Sequence, residues 1–313
     1  MHVILLVGQS NMAGRAPLDA GDASPPDARI RVWRDVDGWQ PALHPLHRDK
    51  PTAGVGPGLA FARAVLSELP AGAVVGLVPA AVGGTAIARW CPRTGDLFHA
   101  AVSSTRAALS AATAADGGSR GGGAANDAAG TEPRLAGILW HQGESDAVSA
   151  ELADAYEPAL AALVDTLPPS CGSADAPLIL GELGLGFLDA SDGGRFAYAP
   201  AVNGAICTVA AAAAAQGRRV GVVSARGLGH RGDRLHFNAE AARTLGERYA
   251  RCWLSLASAA RTMGGADAGG SGASDGAHWL GTDTTPLFGV GYAIEPDRAA
   301  LVSGELAAEA VLE

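Results

Sequence analysis

Only four cysteines, Cys91, Cys171, Cys207 and Cys252, are spread over 313 residues, and no two stand at a CxxC spacing. That excludes a zinc knuckle and a thioredoxin-type site, and the four are expected as thiols. Aromatic residues make up 5% of the chain, so the core must come from Val, Leu, Ile and Ala. Positive charge is scarce as well: 23 Lys and Arg against 32 Asp and Glu leave a net charge of -9. Nucleic acid and anionic membrane surfaces require a cationic face, so neither is an expected partner. No apolar run is long and unbroken enough to span a bilayer. No basic segment or cleavage site stands ahead of the first apolar run at His2. The expectation is therefore a cytoplasmic protein, or a secreted one if a leader precedes this sequence. The glycine-rich stretch GVGPG (54–58) lacks the GK[ST] ending and the preceding strand of a phosphate loop.

What the chain does contain is an alternation. Five short apolar runs read as buried strands: HVILLVG (2–8), AVVGLVPA (73–80), LAGILWH (135–141), APLILGEL (176–183) and RRVGVVSA (218–225). Between them, residues 56–69, 96–112, 151–167, about 200–215 and 238–257 read as helices. Pro158 is a possible kink in the third helix, and Asn238 is a candidate cap for the last. Strands alternating with helices imply right-handed βαβ units around a parallel sheet covered on both faces, an α/β fold. Residues 1–258 form the expected domain, interrupted by a low-complexity insertion at about 114–131. A Gly/Ser/Ala-rich linker (259–277) and a tail of unassigned role (278–313) follow.

Ligand sites in such sheets lie beyond the carboxyl ends of the strands. Those ends carry GQSN with Ser10, VGGTAIARW with Gly83 and Gly84, WHQGESD with Gln142 and Glu144, and GDRLHFN with Asp233 and His236. One hydroxyl, one imidazole, one carboxylate and two donor sites are the parts of an acyl-transfer centre. A serine hydroxyl is a weak nucleophile until a base takes its proton. His236 is the candidate base, and Asp233, three residues before it, the group that fixes its tautomer. Negative charge on the carbonyl oxygen would be met by the N–H groups of Ser10 and Gly84 and the Gln142 amide. On that assignment Gln142→Ala slows turnover roughly 100- to 1,000-fold. No metal ligand set and no cofactor motif is present.

GQSNMAGR (8–15), GGTAIARW (83–90), WHQGESDA (140–147) and DRLHFN (233–238) together resemble the SGNH hydrolase superfamily. Within it they are most similar to the sialate O-acetylesterase-like branch, which includes the family six carbohydrate esterases that act on acetylxylan. The resemblance covers residues 2 to about 255. It implies a flavodoxin-like three-layer α/β/α sandwich with a five-stranded parallel sheet, a Ser10–His236–Asp233 triad and no metal. It also implies an acetylated carbohydrate as substrate. Ser10 is not in a GxSxG elbow, so the α/β-hydrolase fold is not expected. Glu144 remains an alternative partner for His236, and Arg89 and Trp90 are candidate sugar contacts. A general short-chain carboxylesterase and a catalytically idle carbohydrate-binding protein remain the alternative readings.

Overall fold

A computed structural model describes residues 1–23, 27–118 and 132–264, all within one unit of the chain, Met1–Ala268. Residues 24–26, residues 119–131 of the low-complexity stretch and residues 265–313 of the expected linker and tail lie outside the described residues, whereas 114–118 and 259–264, expected as insertion and linker, are helical.

The first strand, β1 (His2–Gly8), is apolar from Val3 to Val7, and all five of those side chains are fully buried. It leads into one short helical turn, α1 (Ser10–Ala13). A hairpin follows, β2 (Ile30–Arg34) and β3 (Gly38–Pro41), then α2 (Gly58–Glu68), β4 (Val75–Pro79) and α3 (Asp96–Gly118). The rest is β5 (Arg134–His141), α4 (Ala150–Ser170), β6 (Leu178–Gly181), α5 (Ala199–Ala215), β7 (Val220–Val223) and α6 (Ala239–Gly264). Helix α4 begins where the Ser149 hydroxyl accepts the Leu152 N–H (3.3 Å), and it continues through Pro158. Helix α6 begins where Asn238 Oδ1 accepts the Ala241 N–H (2.8 Å), as the cap expected there requires.

The strands form one sheet in the order β3-β2-β4-β1-β5-β6-β7. Seven strands replace the five expected. All pair in parallel except β3, which runs antiparallel to β2. The two extra strands were masked by their composition. In IRVWR the buried Ile30 and Val32 alternate with partly exposed arginines, and GWQP is only four residues long. Both sit at one edge of the sheet, where alternation replaces the continuous apolar run of a central strand. Chain order reverses at β1: the connection to β4 runs one way along the sheet, and those to β5, β6 and β7 run the other. Right-handed crossovers then put α2 on one face and α3, α4 and α5 on the opposite one. The packing agrees, since α2 meets α6, and α4 meets both α3 and α5. A ligand crevice is expected at such a reversal, at the carboxyl ends of β1, β4 and β5.

None of the four cysteines is in a disulfide. Among the described residues, no helix is long and apolar enough to cross a membrane.

Candidate active site

Gly8 ends β1 with a φ of +127°, in register with His141 at the end of β5. A Cβ on Gly8 would lie 2.1 Å from the His141 carbonyl oxygen, so only glycine lets the two strand ends approach. The chain turns there, the Gln9 N–H bonds the His141 carbonyl (2.9 Å), and Ser10 opens α1 at the floor of a cleft. The cleft has a volume of about 540 Å³ and is lined by Ser10, Gly84, Glu144 and His236, among others.

Ser10 Oγ is 3.0 Å from Nε2 of His236, 226 positions away in the chain. On the far side of the ring, Nδ1 is 2.7 Å from Asp233 Oδ2. A tight turn makes this possible. Asp233 Oδ1 accepts the backbone N–H groups of Leu235 (3.0 Å) and His236 (2.9 Å), and Arg234 between them takes a positive φ of 53°. Asp233 thus holds the backbone of the turn with one oxygen and the imidazole with the other. Arg231 Nε adds an ion pair to the second oxygen at 3.1 Å.

These contacts set the charge states. Burial pushes the Asp233 carboxyl up, but hydrogen bonds from the His236 backbone and ring and from the Leu235 backbone outweigh it and hold the group below its ordinary value. His236 is pulled below 6.5, chiefly by burial, with the Asp233 bond opposing the shift. At neutral pH the ring is therefore uncharged. With Nδ1–H directed to the carboxylate, Nε2 is left as an acceptor facing the hydroxyl.

Glu144 lies in the cleft wall but does not meet His236. Its Oε1 accepts Asn11 Nδ2 at 2.5 Å and stands 3.8 Å from Nε2 of the buried His141. Burial raises its carboxyl to about 7, against the Asn11 hydrogen bond. Asp233, not Glu144, is the carboxylate at the imidazole.

Gln142 departs from expectation. Its side chain is fully buried, and its Nε2 donates to the Thr85 carbonyl (2.9 Å) and to Asp146 Oδ2. Both amide hydrogens are spent inside the protein, and the residue does not line the cleft. Asp146 also accepts the Ile87 N–H (3.1 Å), so Gln142 and Asp146 clamp the 83–90 segment to the end of β5. Gln9 takes the cleft-wall place instead. Its Oε1 stands 3.3 Å from Gln142 Nε2 and receives the Ser145 N–H (3.4 Å).

The two candidate sugar contacts are also corrected. Trp90 is fully buried, packed edge-on against Trp140 with ring centroids 5.3 Å apart, and has no face to offer a ligand. Arg89 is exposed and paired with Asp96, outside the cleft. Both lie in the same motif as Gly83 and Gly84, but the short helical turn Ile87–Trp90 carries them away from the site.

Sequence reasoning missed the cations of the cleft: Arg15, Lys50, Arg195 and Arg231. Arg15 is buried and bidentate on Asp49 (2.5 and 3.3 Å), which also accepts the Gly83 N–H (2.8 Å). That network fixes the glycine pair. Arg15 belongs to the quoted GQSNMAGR motif, so its proximity to Ser10 was a usable signal; Arg195 and Lys50 had none. Among the described residues, no three His, Cys, Asp or Glu side chains are grouped so as to hold a metal ion.

A mostly parallel α/β sheet with a hydroxyl, an imidazole and a carboxylate in line at its carboxyl edge is the arrangement of a serine hydrolase. The model of the carbohydrate esterase, sialic acid-specific acetylesterase family matches residues 1–255. The chain belongs to that family, and is a carboxylic ester hydrolase. It is 31% identical over 274 residues to the probable carbohydrate esterase At4g34215 of Arabidopsis thaliana, covering 81% of this chain and 90% of that protein. The crystal structure of that Arabidopsis protein superposes with a TM-score of 0.63 at 29% identity, covering 81% of this chain and 98% of the other. NanS shares the fold at 20% identity, with a TM-score of 0.61 over 82% of this chain and 98% of its own. XAC1771, a carbohydrate acetylesterase from Xanthomonas citri, shares it at 19% identity, with a TM-score of 0.56 over 82% of this chain and 56% of its own.

Proposed function

We propose that this protein removes O-acetyl groups from carbohydrate through an acyl-enzyme on Ser10, within a flavodoxin-like three-layer fold. The observation that carries this reading is the unbroken line from Ser10 Oγ to His236 Nε2 (3.0 Å) and from Nδ1 to Asp233 (2.7 Å). Ser10 Oγ attacks the acetyl carbonyl as His236 takes its proton, and Asp233 stabilises the imidazolium that forms. The tetrahedral oxyanion is met by the N–H groups of Ser10 and Gly84, with the Gln9 amide, which lines the cleft where Gln142 does not, as the third donor. Collapse breaks the ester bond, and His236 returns the proton to the departing sugar oxygen. Water then attacks the acetyl-enzyme with His236 again as base, releasing acetate and restoring the Ser10 hydroxyl.

The cleft is cationic in a protein whose net charge is -9. Arg15 and Arg231 are engaged by Asp49 and Asp233, whereas Lys50 and Arg195 have no ion pair of 4 Å or less among the described residues. A neutral acetylxylan chain has no use for two such cations. An acetylated acidic sugar does, and the family description supports a sialic acid. Acetate release from O-acetylated sialic acid and from acetylxylan, measured with wild type and Ser10→Ala, tests both parts. The sialate is expected as the better substrate and the Ser10→Ala enzyme as inactive. Equal turnover of both substrates overturns the acidic-sugar part, and an active Ser10→Ala enzyme overturns the mechanism.

A further inference from the structure

Asp233 orients the imidazole within its own turn, but that leaves the turn itself to be held against β1. Ser10 and His236 come from distant segments, and a hydroxyl-to-imidazole distance of 3.0 Å survives only if residues 235–237 are fixed relative to α1. The residue next to the serine makes that connection. Asn11 Nδ2 donates to the Leu235 carbonyl (3.1 Å), and Asn11 Oδ1 accepts the Phe237 N–H (3.1 Å). One side-chain amide thus grips the two residues on either side of His236.

An amide can make that grip in only one of its two orientations. Flipped, Nδ2 would face the Phe237 N–H and Oδ1 the Leu235 carbonyl, donor against donor and acceptor against acceptor. Glu144 removes the ambiguity. Its Oε1 takes the second Nδ2 hydrogen at 2.5 Å, so this orientation alone gives all three partners of the amide a complementary group. Asn11 and Glu144 are each at most 5% exposed, so water offers no substitute partner. Among the described residues Glu144 Oε2 has no hydrogen-bond partner, and Oε1 is the oxygen that meets Asn11.

We propose that Asn11, anchored by Glu144, is a positioning residue for the reaction: it ties the ends of β1 and β5 to the loop that carries His236, and so sets the distance over which the Ser10 proton travels. This rests on the Ser10–His236 reading above. It explains why a buried carboxylate stands beside the reacting pair without touching either member.

The test is kcat and KM for p-nitrophenyl acetate in wild type, Asn11→Asp, Asn11→Asp/Glu144→Gln and Ser10→Ala. Asn11→Asp keeps the acceptor for Phe237 but loses both donated bonds and sets two carboxylates face to face. A misplacement of about 1 Å costs on the order of 100-fold, so kcat falls about 10- to 100-fold with KM nearly unchanged. The double variant reverses the pair, with the new amide at position 144 donating to the new carboxylate at position 11, and recovers part of that loss, the Leu235 carbonyl remaining without its donor. A residue that merely supports the fold would lower the active fraction without such recovery. Asn11→Asp with wild-type kcat, a loss confined to KM, or a double variant no better than the single one overturns the proposal. If Asn11→Asp does not fold, Glu144→Leu decides, with kcat expected about tenfold down and an unchanged kcat refuting the anchor. Failure of both to fold assigns the pair to folding and overturns positioning. An active Ser10→Ala enzyme, by contrast, condemns the nucleophile assignment beneath it.

Discussion

Replacing Asp233 by asparagine changes one atom and separates the two jobs of that side chain. The backbone N–H groups of Leu235 and His236 both point at Oδ1, at 3.0 and 2.9 Å. In the Asp233→Asn variant the side-chain carbonyl oxygen must stay there, because the alternative sets an NH2 group against two backbone donors. The turn therefore survives, and the NH2 is forced into the place of Oδ2, against Nδ1 of His236. The ring answers by moving its proton to Nε2, the nitrogen that has to accept the Ser10 proton. The same tautomer failure in a serine triad lowers kcat by about 10⁴-fold, roughly 5.5 kcal/mol of barrier. Asp233 is partly exposed, with a side-chain accessibility of 32%, and Arg231 Nε loses its partner to the same NH2. Solvent then moderates the loss to about 10³- to 10⁴-fold. A second signature accompanies it. The Asp233 bond raises the His236 pKa against burial, so its removal lets burial pull the value further down. The acid limb of kcat/KM, already below pH 6.5 in the wild type, moves to lower pH in the variant. Initial rates on p-nitrophenyl acetate from pH 4.5 to 9, with thermal melting alongside, measure both effects. An Asp233→Asn enzyme within tenfold of wild type, or an acid limb moved upward, refutes the reasoning.

Other outcomes follow from the same contacts. Trp90→Ala removes a fully buried indole and destabilises the fold by about 3–5 kcal/mol in denaturant melts, whereas Arg89→Ala leaves KM unchanged; a raised KM in Arg89→Ala would restore it as a sugar contact. Gln9→Ala lowers kcat by about 10²- to 10³-fold if its amide faces the oxyanion. Gln142→Ala instead removes one donor from Asp146 and one from the Thr85 carbonyl and costs about 1–3 kcal/mol of stability. Acid should unfold the protein early. Burial holds His44 and His47 near 4 and His141 near 3, below their ordinary 6.5. Their contribution is complete above about pH 6.5 and is lost as pH falls through 4, because the unfolded chain takes up protons that the native one refuses. Glu144, raised to about 7, acts in the opposite sense between its ordinary 4.5 and 7, and Asp146 is raised by burial too, but His2, also held near 4, joins the three histidines against them. A melting temperature that is flat from pH 7 to 4 contradicts that balance.

The central strands were legible because burial on both faces demands unbroken apolar runs. VILLV can scarcely be anything else, and its glycine and serine mark where the run ends. The edge hairpin was not legible, since one-sided burial let Arg31 and Arg34 into β2, and its pattern there is that of an ordinary loop. That Ser10, Asp233 and His236 meet at one edge of the sheet was readable because local spacing and strand-end position both constrained them. Side-chain direction was not readable. Gln142 and Glu144 lie two residues apart past the same strand end, yet one turns inward to Asp146 and the other to Asn11 at the cleft wall. Trp90 and Gly84 share a motif, but the helical turn between them buries one and leaves the other in the cleft wall. Such orientations depend on partners from distant segments, which spacing in a single sequence does not encode.

The claim that the Ser10 hydroxyl becomes acylated is open to direct observation. The enzyme is mixed with p-nitrophenyl acetate, quenched in acid within the first turnovers, digested, and its peptides are weighed by mass spectrometry. An acetyl group on the peptide containing Ser10, absent from Ser10→Ala and scarcely formed in His236→Ala, is the predicted result. Turnover with no acylated peptide, or with the acetyl group on another residue, contradicts the account.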